Sequence, residues 1–185
     1  GDIMLDVTVL LNRPIVEGLE TRAKISTQGG GAAANVASWL SHNQTKAYLV
    51  TRVGDDSAGK TVLAELDAYG VEHSNNVIPN TNTGVVVVIV GADGERTMFP
   101  DSGANSGLGL SDLPDLSQFS AVYLSAYSLI NPQSRAGVLE IISRVAQAKL
   151  PLILDPATVG VLMEVGVKAA SEWLSFIDTI ILNEE

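Results

Sequence analysis

The chain contains no cysteine, which excludes disulfides and thiolate metal sites. Its two histidines, His42 and His73, are too few to build a histidine-based metal centre. Positive charge is scarce as well. Lysine and arginine number 11 against 21 aspartates and glutamates, a net charge of −10. Nucleic acids and anionic membranes are held by basic surfaces, so neither is an expected partner. No apolar run is long enough to cross a bilayer, and no signal-peptide pattern is visible; a cytoplasmic protein is the expectation. Internal repeats and low-complexity stretches are lacking. What is present is 185 residues that are 46% hydrophobic and 17% charged. That is the composition of one globular domain with a sizeable core.

The stretch Gln28-Gly29-Gly30-Gly31-Ala32-Ala33-Ala34-Asn35-Val36-Ala37 organises the rest. Glycine lets the backbone take positive φ and lets a ligand come close to the main chain. A helical pattern follows, with Val36, Ala37 and Leu40 near one face. The start of such a helix presents unpaired N–H groups, which favour an anion or an oxygen-rich molecule such as a sugar. Asn35 falls in the first turns, where its amide can donate to and accept from hydroxyls. The alternative is structural: a tight strand-to-helix turn, with Asn35 as a local cap. The loop alone does not separate the two.

Ile3 to Leu11 reads as a strand with Asp6 inside it, and a carboxylate in such a run sits at a strand end or faces a polar site. Glu20 to Thr27 alternates as a half-exposed strand does. The first helix runs to about Ser41 and a strand covers Lys46 to Val53. Gly54-Asp55-Asp56-Ser57 supplies turn and N-cap residues. The helix after it carries Val62, Leu63, Leu66 and Tyr69, and stops at Gly70. Val85 to Val90 are six consecutive β-branched residues, and Asp93-Gly94 signals a hairpin returning through Arg96 to Phe99. The strands of Val7 to Thr27 and this hairpin are expected as antiparallel additions to a main sheet. From Ala121 strands and helices alternate. Strands cover Ala121–Ser128, Pro151–Leu154 and Ile177–Leu182; helices cover Pro132–Ala148 and about Val161–Leu174. This order implies parallel strands with right-handed crossovers, and ligands at the carboxyl ends of the strands. Asp6, Asp155 and Asn183 lie at or near such ends. Both ends of the sequence read as cut, so a fragment is the expectation.

Gly54-Asp-Asp-Ser-Ala-Gly59-Lys60-Thr61 matches the P-loop pattern G-x-x-x-x-G-K-[ST] between a strand and a helix. A P-loop aims backbone N–H groups at phosphates. Asp55 and Asp56 would place two carboxylates in that nest, so helix capping is the favoured reading. A P-loop NTPase using residues 54–61 stays as the alternative.

Taken together, these segments resemble the ribokinase-like carbohydrate kinases, the PfkB family, over essentially all 185 residues. Gly1-Asp-Ile-Met-Leu-Asp6 is similar to the family's opening strand, whose Asp binds sugar hydroxyls. Gly30-Gly31-Ala-Ala-Ala-Asn35 is similar to its glycine-pair-to-asparagine signature, which also holds the sugar. Gly54-Asp55-Asp56, Thr83-Gly84, Gly94-Glu95-Arg96 and Gly103-Ala104-Asn105 follow in the family's order. Asn183-Glu184-Glu185 resembles the start of its N-x-x-E motif near the nucleotide phosphates and magnesium. The resemblance implies a Rossmann-type α/β fold, with a mostly parallel sheet flanked by helices and a small antiparallel β lid of strands about 7–28 and 84–100. It implies that residues 1–185 are the N-terminal part of one such domain, with the C-terminal nucleotide-binding part absent. The implied activity is ATP- and Mg2+-dependent phosphorylation of a sugar or sugar-like alcohol, and a homodimer through the lid is a further implication. Asp6, Gly30, Gly31 and Asn35 would bind the substrate and Asn183 the nucleotide. Met4 and Tyr127 depart from ribokinase's own sugar contacts, so the sugar is open. The family's G-A-G-D motif, which carries the base, is absent; no catalytic residue and no metal ligand is named in this chain. A non-catalytic sugar-binding fragment is a further reading.

Overall fold

The computed structural model describes residues 1–182. In chain order it holds strands β1 (Met4–Leu10) and β2 (Lys24–Gly30), helix α1 (Ala32–His42), β3 (Tyr48–Leu49), β4 (Arg52–Gly54) and α2 (Ser57–Ala68). Then come β5 (Glu72–His73), β6 (Asn76–Ile78), β7 (Val85–Val90) and β8 (Arg96–Asp101). The last part carries β9 (Val122–Ser125), α3 (Tyr127–Ile130), α4 (Pro132–Gln147), β10 (Leu152–Asp155), α5 (Val159–Val165), α6 (Val167–Leu174) and β11 (Thr179–Ile180).

The four longest strands form a sheet of their own in the order β2-β1-β7-β8. The outer pairs are antiparallel, but β1 and β7 run parallel. This corrects the expectation of an antiparallel addition to the main sheet: the unit is separate and mixed. The reason lies at its base. The buried Asn105 amide holds both backbone groups of Ile3, accepting from its N–H (3.3 Å) and donating to its carbonyl (2.7 Å). Asp56 holds Thr83 through the backbone N–H (2.9 Å) and the hydroxyl (2.6 Å). The same hydroxyl accepts from Gly54 N–H at 2.9 Å. Two strands fixed side by side at one base leave in the same direction, and so pair parallel. Each then returns through its own hairpin partner.

The rest is an α/β body whose strand pairs are all parallel: β3 with β5, β4 with β6, and the triple β11-β10-β9. The expected strand over Lys46–Val53 is broken at Thr51. There the Ser74 hydroxyl accepts from Thr51 N–H (3.1 Å) and donates to Thr51 carbonyl (2.8 Å), standing in for ladder bonds. Its partner segment, residues 72–78, gives no strand signal because it carries Glu, His, Ser and two Asn. The expected strand over Ala121–Ser128 stops at Ser125, and the chain turns into α3. The single helix expected over Val161–Leu174 is two, divided at Gly166, whose φ of 86° no α-helix admits.

Two apolar clusters hold the body. On α4, Val138, Ile141, Ile142 and Val145 form one face and pack on Leu124, Leu152, Leu154 and Trp173. Ala33, Ala34 and Ala37 of α1 pack with Val62 and Leu66 of α2 on Ile3, Leu49 and Val53. The buried face of α1 is therefore its alanine stripe, and Leu40 is exposed.

Two stability outcomes are expected. Asn105→Ala leaves the buried N–H and carbonyl of Ile3 unpaired and should cost about 2 kcal/mol or more in urea unfolding. Asp56→Ala removes the N-cap bond to Gly59 N–H (2.8 Å) as well as both Thr83 bonds, and should cost roughly 1–2 kcal/mol near neutral pH. Burial works to raise the Asp56 pKa, but the bonds from Thr83 and Gly59 outweigh it and hold the carboxyl below the ordinary 3.8. A lowered folded-state value means that this contribution is complete above about pH 4 and is lost as the pH falls through the lowered value. The difference between Asp56→Ala and the parent should shrink over that acid range.

Candidate functional site

The glycine stretch lies against the first residues of the chain. Gly31 is the N-cap of α1, with φ 96°. A Cβ there would stand 2.7 Å from the Asp2 carbonyl oxygen and 2.9 Å from the Ile3 Cα, so only glycine fits on both counts. The Asp2 carboxylate accepts from Ala32 N–H (2.8 Å) and Ala33 N–H (3.4 Å), and its carbonyl accepts from Ala34 N–H (3.2 Å). This corrects the expectation that the helix start offers free N–H groups to a ligand. The protein supplies its own anion there, and Asp2 takes the place of the missing side-chain cap.

Gly30 faces Met4 across the β1–β2 ladder. A Cβ at Gly30 would overlap the Asp6 carboxylate, so that carboxylate rests directly on the glycine backbone. Among the described residues nothing donates a hydrogen bond to it. Burial, and then the neighbouring Asp2 charge, push the Asp6 pKa above its ordinary 3.8. Asp6 stands within β1 rather than at its carboxyl end. Asn35 is exposed and makes no side-chain cap bond, so the local-cap reading does not hold. Asn35, Gly30, Gly29 and Gln28 line one cleft of about 370 Å3. Asp6 thus meets the glycine pair at Gly30, whereas Asn35, a turn along α1, lines a cleft that Asp6 and Gly31 do not line.

The ends of β9 and β10 face the same quarter. Asp155 accepts from the Tyr123 hydroxyl (3.0 Å) and from Ala157 N–H (2.9 Å). Both of its oxygens are engaged, which favours the turn reading for Asp155. Burial, then the bond from Tyr123 to Asp155 and that residue's charge, push the Tyr123 pKa far above its usual range. Tyr127 is also raised, by burial and then by the charges of Asp2 and Asp155, against a smaller opposing bond with Thr158. Asp2 therefore acts electrostatically on Asp6, Tyr123 and Tyr127 alike, and the region is acidic and phenolic.

The P-loop alternative fails on geometry. Asp56 caps α2 and Thr83 fills the turn, with Asp56 accepting Gly59 N–H and Thr83 accepting Gly54 N–H. A Cβ at either Gly54 or Gly59 would collide with backbone, so the glycines serve close packing rather than a phosphate. Lys60 points to solvent. Asn183, expected near the nucleotide, lies outside the described residues. Among the described residues no group of three or more His, Asp or Glu side chains is placed to hold a metal ion.

Three residues gain roles that the sequence pattern did not signal. Asp2 caps α1 from outside the helix, and Asn105 ties Ile3 across 102 residues. Glu65 of α2 accepts from Gly29 N–H at 2.7 Å. Each is a long-range bond to backbone, which leaves no periodic trace; only the short Gly-Ala-Asn run drew notice to Asn105.

Comparison with known proteins bears on the fold and the family. The chain is 30% identical over 117 residues to an ATP-dependent ribose-1-phosphate kinase of Halopiger xanaduensis, covering 62% of this chain and 40% of that one. It is 32% identical over 130 residues to a fructokinase of Vibrio alginolyticus, covering 69% and 42% respectively. It spans about two fifths of the length of these curated relatives. The solved ribokinase of Giardia lamblia superposes with a TM-score of 0.81 at 21% identity, over 97% of this chain and 55% of that one, which shows a ribokinase-like α/β fold. The pattern that defines the pfkB family carbohydrate kinases runs from residue 1 to residue 185, and the chain belongs to that family.

Proposed function

We propose that this chain carries the acceptor-binding part of a kinase that transfers the γ-phosphoryl group of ATP to a hydroxyl of a sugar or sugar-like alcohol. The observation that carries the reading is the Asp6 carboxylate, half-buried on Gly30 with no donor among the described residues. Such a carboxylate is held ready for hydroxyl donors from a ligand. Asn35 adds an uncommitted amide one helical turn away, and the bare backbone of Gly30 and Gly31 lets a ring approach. Family membership, and relatives named as kinases of ribose phosphate and fructose, support the substrate class.

In-line phosphoryl transfer leaves a protein chiefly positioning and charge neutralisation to perform. Asp6 and Asn35 orient the acceptor. The four-stranded sheet acts as a lid that excludes water from the reacting hydroxyl. ATP supplies the phosphoryl group, and its site, Mg2+ and the base lie with residues other than those described. A cytoplasmic setting suits an ATP-dependent sugar enzyme. The lid also supports a homodimer: Met98 and Phe99 on β8 are each 55% exposed, and β8 is an open edge of the sheet.

Asp6→Asn is the deciding variant. D-Ribose and D-fructose should raise the melting temperature of the parent chain, and Asp6→Asn should weaken the better sugar by about tenfold or more. The same variant should be no less stable than the parent near pH 7, because it removes a desolvated charge beside Asp2. A sugar donates to the ionised carboxylate, so affinity should fall as the pH drops through the raised Asp6 value, an inflection that Asp6→Asn lacks. A variant that unfolds, or that binds the sugar as the parent does, would sink the reading. For the dimer, sedimentation should give twice 19.4 kDa, and Phe99→Glu should return the monomer; a monomeric parent would remove that part.

A further inference from the structure

Asp6 does not line the cleft that Asn35 and Gly30 share; the far part of that cleft, along α1 and α2, is lined by Trp39, His42, Glu65 and Tyr69. We propose that this far part is a second small-molecule site, for a small organic cation of the ammonium class.

Its walls are Trp39 of α1 and Tyr69 at the end of α2, and both line the cleft. They are 68% and 57% exposed, so both rings are open to a ligand in the cleft. The chain has only two Trp, four Tyr and three Phe, so two of its nine aromatic rings stand at one cleft. The floor is apolar, with Val62 and Leu66 buried beneath. Glu65 supplies the charge. One of its oxygens accepts from Gly29 N–H at 2.7 Å; among the described residues nothing donates to the other. Among the described residues no lysine or arginine lines the cleft. An aromatic pair, an apolar floor and one half-committed carboxylate together favour a cation with an apolar envelope over a sugar or an anion.

The site is built before any ligand arrives. The Ser41 hydroxyl donates to the Tyr69 carbonyl at 2.7 Å and fixes α1 to the end of α2. The Glu65 bond fixes α2 to the end of β2. His42 stands edge-on to Trp39, with centroids 5.7 Å apart at 88°, and braces the indole. The whole cleft, of which this site is the far part, measures about 370 Å3, at the low end for small-molecule pockets.

The probes are choline and its neutral isostere 3,3-dimethylbutan-1-ol, titrated calorimetrically at constant ionic strength. Choline should bind one site with a dissociation constant of ~1 mM or tighter, and the neutral alcohol about tenfold or more weaker. Glu65→Gln keeps an acceptor for Gly29 N–H, so its melting temperature should match the parent's while choline affinity drops about tenfold. Tyr69→Leu, at an exposed position, should weaken choline similarly. Asp6→Asn should leave choline binding unchanged, which separates this site from the proposed sugar site. Absence of saturable choline binding, equal affinity for the neutral alcohol, or unchanged affinity in Glu65→Gln would each overturn the proposal.

Discussion

The site depends on how closely two stretches of backbone approach, residues 2–6 and residues 29–34. No side chain fits between them at Gly30 or Gly31, and the two glycines are excluded from substitution by different neighbours. Gly31 is confined by the main chain of Asp2 and Ile3, whereas Gly30 is confined by the Asp6 carboxylate. Because the approach is this tight, Asp2 reaches the first N–H groups of α1 and fixes where the helix begins. The start of α1 in turn fixes Asn35. The same approach strips water from one side of Asp6 and sets the Asp2 charge near it, and both effects raise the pKa of Asp6. Helix position and carboxylate chemistry thus share one steric cause.

A second group of residues holds the base of the four-stranded sheet. Asp56, Thr83 and Asn105 all lie in motifs that suggest chemistry, yet in the fold each bonds to backbone, and Asp56 and Thr83 bond to each other. Their polar groups are spent on keeping β1 and β7 side by side. A Gly-Asp-Asp run ahead of a helix resembles a phosphate loop because both need glycine and a cap. The difference is what fills the turn: here it is Thr83 and a carboxylate, which a polyanion would have to displace.

Much of this was legible in residue order. The strand–helix alternation after Ala121, the hairpin at Asp93-Gly94, and the glycine run opening a helix all follow from local pattern and turn chemistry, and the structure bears them out. The meeting of Asp6 with the glycine stretch was legible only through family resemblance, since nothing local links positions 6 and 30. Illegible parts were those decided by bonds between distant residues. Ser74 replacing ladder bonds at Thr51, the polar strand at 72–78, and the parallel pairing of β1 with β7 each need a partner that the local sequence does not name. Gly166 is a different case: a single glycine inside a helical pattern is usually tolerated, and only the observed φ shows that it divides α5 from α6.

The parallel pairing of β1 with β7 also bears on how the chain is made. In the sheet Leu5 lies beside Val85, about 80 residues later, whereas its other neighbour is Gly29; pairings so far apart in sequence form late. As the chain leaves the ribosome, β1 and β2 are complete while β7 is still unsynthesised. For that interval the apolar edge of β1, with Leu5, Val7 and Val9, has one partner and one open side, a geometry that invites pairing with another chain. Rapid synthesis through residue 90, or a chaperone at that edge, closes the window. A pause before Val85 would widen it.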